Sequence, residues 1–150
     1  MTTEFTTVKV DQFLAHPPAK VWRALTDPAR LARWLMPNDF QPVVGHRFTF
    51  NRGEPLPAVR TDGIAHCEVL EIQPERLLRI SFNDNGPDNG MHTTITWTLA
   101  PEGRGTRLFL VHDGFDPDNE FQQLSRKFMA SGWSSGVAAA LAKLLDEETD

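Results

Sequence analysis

In several runs between residues 43 and 112 apolar side chains recur at every second position, and this period constrains the fold more than any other feature of the sequence. Such alternation is typical of strands with one face on a core and the other in water. Short turns rich in Gly, Asn and Pro separate the runs, and strands joined by short turns pair antiparallel. We therefore predict an antiparallel sheet with strands in residues 44–50, 59–72 (bulged or bent near Gly63), 78–82, 95–99 and 108–112.

The faces of the last two strands follow from the same alternation. In residues 94–99 large apolar side chains alternate with threonine, whose branched side chain suits an exposed strand position. A register error of one residue would invert every assignment. We predict that the core side carries Ile95, Trp97, Leu99, Leu108 and Leu110, and that the water side carries Thr94, Thr96, Thr98 and Arg107.

One strand and two short helices are predicted before this region. Residues 6–14 alternate as a strand, and Gln12 is the one polar residue on the face that it shares with Val8, Val10 and Leu14. Proline suits a first helical turn, where its missing N–H would be unpaired anyway. Prolines at 18 and 28 therefore favour helices over residues 18–26 and 28–35.

The end of the chain predicts one long helix. Asp116 followed by Pro117 is typical of an N-cap and first turn, so we expect a helix over residues 117–145. Its length of roughly 40 Å would cover a ten-residue strand of about 33 Å. Acidic residues 146–148 lie where the helix dipole disfavours them, so fraying is expected there. The predicted order is β-α-α-β-β-β-β-β-α, an α+β fold with about six strands.

Composition excludes several classes of protein. The net charge is −5, which argues against a nucleic-acid surface. No apolar run is long enough to span a membrane, and no secretory signal is visible at the start. The one cysteine, Cys67, excludes an internal disulfide and fits a small core residue. We expect one cytoplasmic domain over residues 1–150.

Several blocks of the sequence resemble a known family. They are AHPPAKVWRALTDP at 15–28 followed by Leu31, Trp34, Leu35 and Pro37, then Gly63, VLEIQP at 69–74, Leu77, TITWTL at 94–99, GTRL at 105–108, HDGF at 112–115, and Gly132 with Trp133. Over residues 6–145 the chain resembles the START-like (SRPBCC) superfamily, in the branch similar to the C-terminal domain of the activator of heat-shock-protein-90 ATPase. The resemblance implies a helix-grip fold, in which a curved antiparallel sheet wraps around a long C-terminal helix with a cavity between them.

The centre of the last helix bears on that cavity. Apart from Trp133, residues 130–136 are small or polar, and side chains such as Ser131 and Ser135 would leave space above the sheet. The alternative is that Trp97 or Phe48 fills the space. With the cavity that the resemblance implies, we predict a ligand pocket walled by Trp34, Phe48, Phe50, His66, Phe82, Trp97, His112, Phe128 and Trp133, in which His66 and His112 are the polar groups.

The titratable residues do not form a recognisable catalytic or metal motif. None of the five histidines has the spacing of a local zinc motif. His46, His66 and His112 could share the inner face, or each could be a core histidine bonded to a neighbour. Glu68 could form an acid–base pair with His66, or turn to solvent. No catalytic residue, cofactor or metal is assigned.

The function predicted from the sequence is binding of a small, largely apolar or aromatic ligand between the sheet and the last helix. The first alternative is a cyclase-like or dehydratase-like enzyme that uses His66, His112 or Glu68 on an aromatic or polyketide-like substrate. The second is a co-chaperone-like module that contacts a protein partner through an exposed apolar patch. The sequence names neither the ligand nor the oligomeric state, and it assigns no enzymatic reaction.

Overall fold

One antiparallel sheet organises the computed structural model of the protein, which describes residues 5–51, 63–83 and 90–148. Its six strands within these ranges are β1 Thr7–Leu14, β2 Arg47–Asn51, β3 Ile64–Gln73, β4 Leu77–Asn83, β5 His92–Glu102 and β6 Gly105–Asp113. Their spatial order is β1-β6-β5-β4-β3-β2, and every neighbouring pair is antiparallel. The predicted α+β class, strand number and element order are confirmed.

Two short helices follow β1 and lie close to their predicted positions. They are α1 Pro18–Thr26 and α2 Pro28–Trp34. At the start of α2, the side chain of Asp27 accepts a hydrogen bond from the backbone N–H of Ala29. At its end, Trp34 Nε1 donates to the carbonyl oxygen of Ala24 at 2.8 Å. That bond joins α2 to α1 and fixes the orientation of the Trp34 ring.

The C-terminal helix begins later than predicted and contains a π-helical turn. It consists of α3 Glu120–Ser131, the π turn Gly132–Gly136 and α4 Val137–Glu147. Its N-cap is Asn119, whose Oδ1 accepts from two backbone N–H groups at 2.9 and 3.1 Å. The predicted cap at Asp116 is wrong, because that side chain accepts from the N–H of Asp118 in the preceding loop.

The acidic end of α4 is held by cations from the first two helices. Lys20 Nζ donates to the carbonyl oxygen of Glu148 at 2.7 Å. Arg30 Nε donates to both carboxylate oxygens of Glu148 at 3.0 and 3.1 Å. The sequence predicts fraying because it shows only the helix and its own dipole. In the structure, positive charge supplied by α1 and α2 offsets the unfavourable dipole interaction.

The core lies between the sheet and the helices, and the predicted faces of β5 and β6 are confirmed. Ile95, Trp97, Leu99, Leu108 and Leu110 are buried, each at most 6% exposed. Thr94, Thr96, Thr98 and Arg107 are half-buried on the opposite face. No helix in the described ranges is long and apolar enough to cross a membrane. The extent of the domain, residues 1–150, stays a prediction.

Strand β3 differs from its predicted form. Its bulge lies at the register shift between Val69 and Glu71, whereas Gly63 precedes the strand in a left-handed conformation with φ of +86°. Ala65 and Cys67 point inward, which confirms Cys67 as a core residue. Residues 59–62 of the predicted strand and 84–89 of the predicted hairpin loop lie outside the described residues.

Glycine substitutions test the helix and the sheet separately. A Cβ at Gly132 or Gly136 meets nothing within 4 Å, and neither residue has a positive φ. We expect Gly132→Ala and Gly136→Ala each to raise the free energy of unfolding by about 0.5–1 kcal/mol, since alanine lowers the entropy of the unfolded chain. Chemical denaturation of each variant measures the change, and a loss of stability in both would contradict this description of the turn.

Gly105→Ala is expected to lower the free energy of unfolding. A Cβ there lies 2.5 Å from the carbonyl oxygen of Leu14 and 2.6 Å from the ring of Phe13. The β1–β6 pairing must shift to accept it, so we expect a loss of about 1–3 kcal/mol in the same denaturation experiment.

Candidate functional site

A pocket lies where the inward faces of β1, β5 and β6 meet the π turn and α4. Its walls are three tryptophan rings, aliphatic side chains and one amide. They are Val10, Gln12, Trp34, Trp97, Leu108, Leu110, Trp133, Val137, Ala138 and Leu141. The cavity measures about 20 Å³, room for about one water molecule. No titratable side chain is among these described wall residues.

Bulky rings occupy the space that the sequence analysis expected to be open. Trp97 and Trp133 meet edge to face, with ring centroids 6.2 Å apart. Trp97 therefore fills much of the region above the sheet, as the alternative held, and a ligand-sized cavity is not open in this conformation. Phe48 packs elsewhere, against Phe40 and Phe50 at centroid distances of 5.2 and 5.3 Å.

The nine predicted wall residues divide into three groups. Trp34, Trp97 and Trp133 line the pocket. Four others are buried but lie outside it, in an aromatic cluster whose neighbouring rings are 5.3–6.3 Å apart. These are Phe48, Phe50, Phe82 and His112. The remaining two, His66 and Phe128, are not part of the interior.

The placement of His66 corrects the predicted face of β3. Its neighbours Ala65 and Cys67 are buried, so His66 lies half-buried on the outer face opposite Thr49 and Asn83. The inward residues of β3 are small, whereas the outward ones resemble functional groups. The sequence analysis therefore placed the outward set on the core face. Glu68 shares the outer face and its carboxylate lies 3.4 Å from Arg47 Nε, so it turns toward solvent.

Phe128 is the second correction. It lies on α3 with 48% of its surface exposed, and Leu124 one turn earlier is 46% exposed. The residues of α3 that are buried are polar, Gln122 and Ser125. Gln122 Oε1 accepts from the backbone N–H of Asp116 at 2.7 Å, so its burial is compensated by a hydrogen bond. Hydrophobicity alone therefore selected the wrong side of this helix.

The helix centre also faces differently from the prediction. Ser131 and Ser135 are exposed, so neither lies beside the cavity. Their role is local, since Ser135 Oγ donates to the carbonyl oxygen of Ser131 at 2.6 Å. Trp133 is the buried residue of the π turn, at 5% exposure. The space next to the pocket belongs instead to Val137 and Ala138.

A hydrogen-bond chain runs from the π turn into the sheet through His112. Trp133 Nε1 donates to His112 Nδ1 at 3.2 Å. Because Nδ1 accepts, the ring proton is on Nε2, which donates to Thr93 Oγ1 at 2.8 Å. The Thr93 hydroxyl in turn donates to the carbonyl oxygen of Phe82. Both ring nitrogens of His112 are therefore engaged, in one tautomer.

Burial keeps His112 neutral. Its surroundings are the rings of Phe82, Phe115 and Trp133, with centroids 4.7–6.3 Å away. Removal from water lowers the pKa of His112 to about 3. Burial likewise raises the pKa of the Cys67 thiol, which favours the protonated and unreactive form.

The three histidines considered together in the sequence do not meet. His112 is inside, His66 is on the outer face, and His46 Nε2 bonds the carbonyl oxygen of Asp39 at 2.9 Å. Within residues 5–51, 63–83 and 90–148, no group of three His, Cys, Asp or Glu side chains could hold a metal ion. The absence of a bound metal stays a prediction.

Sequence reasoning missed the polar group of the pocket, Gln12. Its Nε2 donates to the carbonyl oxygen of Ala138 at 2.9 Å, which joins β1 to α4. The signal was present, because Gln12 is the one polar residue on an otherwise apolar strand face. The wall residues Val137, Ala138 and Leu141 were also missed as pocket residues, since their orientation depends on the π turn before them.

The neutral state of His112 predicts a pH dependence of stability. The unfolded chain takes up a proton near pH 6.5, whereas the folded protein does so only near pH 3. The unfolded state therefore binds more protons between these values, and stability is lost as pH falls from 6.5 toward 3. We expect the free energy of unfolding to fall by about 2 kcal/mol between pH 6.5 and 4.5 from this group.

His112→Gln measures that contribution, because an amide can accept from Trp133 and donate to Thr93 without titrating. The variant should show a shallower fall in unfolding free energy over this pH range. The exposed His92→Gln is the matched control and should follow the parent. Equal slopes for all three proteins would contradict a neutral His112.

Comparison with known proteins agrees with the fold. Over residues 15–146 the sequence matches the family described as activator of Hsp90 ATPase homolog 1-like protein. Protein MLL2253 from Mesorhizobium loti is 34% identical, with a TM-score of 0.83 over 96% of this chain and 99% of that chain. No functionally curated protein shows significant sequence similarity.

Two further solved structures share the fold at lower identity. DynU16, described as a putative protein in the dynemicin biosynthetic locus, is 24% identical, with a TM-score of 0.74 over 95% of this chain and 48% of that chain. The Aha1 dimer from Colwellia psychrerythraea is 20% identical, with a TM-score of 0.71 and coverage of 93% of each chain. Because the family match spans most of the sequence, the resemblance is confirmed and the chain belongs to the family of activator of Hsp90 ATPase homolog 1-like proteins.

Proposed function

We propose that this domain binds a small, largely apolar molecule in the pocket between the sheet and the C-terminal helix. The observation that carries the proposal is the pocket wall, in which three indole rings and aliphatic side chains surround a single amide, Gln12. Apolar walls with few polar groups are typical of ligand sites. The described walls offer no charge, so the ligand is uncharged where it is buried. The predicted cytoplasmic location is compatible with this function and stays a prediction.

Entry of a ligand requires the pocket to widen, and the π turn is the element that can allow it. Single π turns inside α-helices are frequent at functional sites. Here the turn contains Gly132 and Gly136, and it carries Trp133 into the pocket. Movement of Trp133 would release its hydrogen bond to His112, so the buried imidazole becomes a polar contact only when that ring moves.

An enzyme is less well supported by the geometry. Acid–base catalysis needs titratable groups that reach the substrate. His66 and Glu68 lie on the outer face of the sheet, and both nitrogens of His112 are already bonded. An aromatic or polyketide-like molecule, which the sequence analysis considered as a substrate, fits the aromatic walls of the pocket. In this chain we assign it the role of a bound ligand.

A second candidate, a protein-interaction module, is favoured by one surface feature. Leu124 and Phe128 are nearly half exposed, one turn apart on α3. Apolar side chains exposed side by side are typical of contact surfaces. Leu124→Glu with Phe128→Glu would weaken such a contact while leaving pocket binding unchanged.

The pocket proposal is tested by filling it from the helix. Ala138→Leu places an isobutyl group into the pocket and its mouth, whereas the adjacent Ala139 is exposed and Ala139→Leu provides the matched control. We expect the parent and Ala139→Leu to bind naphthalene and Ala138→Leu not to bind it. Indole N–H signals of the pocket tryptophans, followed by NMR during titration, report binding.

Thermal melts accompany the titration. Ala138→Leu adds three carbons to a cavity of about 20 Å³, so we expect a cooperative transition with a loss of about 1–3 kcal/mol in unfolding free energy. Naphthalene binding by Ala138→Leu as strong as by the parent would overturn this location of the site. Mass spectrometry of small molecules that co-purify with the native protein then identifies the natural ligand.

A further inference from the structure

Two of the three tryptophan indole N–H groups of the pocket wall donate hydrogen bonds to described residues, and the third does not. Trp34 Nε1 donates to a backbone carbonyl, and Trp133 Nε1 donates to His112. Trp97 is 1% exposed, yet its indole N–H has no hydrogen-bond partner among the described residues. A buried donor without a partner destabilises the fold, so such groups require an explanation. Since Trp97 is part of the pocket wall, a bound molecule can supply the missing acceptor.

The pocket also contains an unpaired acceptor, the amide oxygen of Gln12. Gln12 Nε2 donates to the carbonyl oxygen of Ala138 at 2.9 Å. A carbonyl can only accept, so the nitrogen faces the helix and Oε1 is directed elsewhere. This oxygen has no partner among the residues that the structure describes. The bond to α4 holds the amide in one orientation and leaves its oxygen available.

Strand register places these two groups over the same part of the sheet. Trp97 on β5 pairs with Leu110 on β6, and Leu110 pairs with Val10 on β1. Gln12 is the next inward residue after Val10 along β1. Strand spacing and rise then separate the Cα atoms of Trp97 and Gln12 by about 12 Å, and both side chains line the same pocket.

We infer that the pocket selects an aromatic alcohol, whose hydroxyl oxygen accepts from the Trp97 indole and whose hydroxyl proton is donated to Gln12 Oε1. This inference rests on the proposed function. The cavity of about 20 Å³ suits a group of the size of a hydroxyl. The indole rings of Trp97 and Trp133 provide edges and faces for an aromatic ring.

Other polar groups fit the pair less well. A ketone or ether accepts from Trp97 but leaves the Gln12 oxygen unpaired. An N–H group donates to Gln12 but leaves the Trp97 donor unpaired. A carboxylate or ammonium would be buried without a counter-ion, since no charged side chain is among the described wall residues. A hydroxyl satisfies both atoms with one group.

Three probes that share one ring system test the inference. Naphthalene has no polar group, 2-methoxynaphthalene has an acceptor, and 2-naphthol has an acceptor and a donor. For the parent protein at pH 7 we expect 2-naphthol to bind about tenfold more tightly than naphthalene, with the ether between them. The Trp97 indole proton should shift downfield with the ether and the alcohol and not with naphthalene.

Gln12→Met removes the acceptor with little change in shape, and it also removes the Nε2 donor that bonds the Ala138 carbonyl oxygen. We therefore compare the probes within the variant, and we expect the ratio of its affinities for 2-naphthol and the ether to fall to about one. Gln73→Met, on β3 and outside the pocket wall, is the matched control and should keep the preference. Thermal melts establish that each variant is folded.

The outcomes separate the two proposals. Failure of all three probes to bind overturns both the binding function and the hydroxyl selection. Binding of 2-naphthol no tighter than of naphthalene, or a preference that Gln12→Met leaves unchanged, overturns the selection of an alcohol alone. The comparison of the three probes needs only the parent protein, so it decides the matter even if Gln12→Met does not fold.

Discussion

The hydrogen bond from Trp133 to His112 is the interaction on which the position of the C-terminal helix depends. It ends a chain of donors that continues through Thr93 to the backbone of β4. Every member is buried, and breaking one bond leaves a polar atom without water or partner. The helix therefore has one favoured rotation over the sheet, the one that brings the indole N–H to the imidazole. The neutral state of His112 follows from the same burial.

The π turn reconciles this bond with the packing at both ends of the helix. Residues that are buried or half-buried recur at a strict spacing of four from α3 to α4: Ser125, Met129, Trp133, Val137 and Leu141. An α-helix turns about 100° per residue, so each step of four residues would rotate the buried side by about 40°. A turn with an additional residue absorbs part of that rotation. Half-buried Gly132 and exposed Gly136 fit such a turn because they add no side chain to its surface.

Most of the fold could be predicted because the starts of the short helices and the faces of the strands depend on local sequence. Proline at 18 and 28 set the helix starts, and alternation with threonine set the faces of β5 and β6. Errors arose where the inward residues were inconspicuous. On β3 the small Ala65 and Cys67 face the core, whereas His66 resembles a functional group and faces outward. The sequence of such a strand is compatible with either set of alternate residues facing the core, and only the packing in the folded protein selects one of them.

Only part of the candidate site could be predicted, because sequence identifies buried aromatic residues but not the contacts that their polar atoms make. Large aromatic residues identify a core from sequence alone, so Trp34, Trp97 and Trp133 were found. Which polar atoms remain unpaired inside that core depends on three-dimensional contacts. His112 and Thr93 satisfy each other and hold the structure together, so their burial indicates stability. Trp97 Nε1 is buried and unpaired among the described residues, at a cost to the folded state, and Oε1 of the half-buried Gln12 also lacks a partner there. A bound hydroxyl would offset that cost. Under the proposed function, the unpaired polar groups recognise the ligand, whereas the paired ones stabilise the domain.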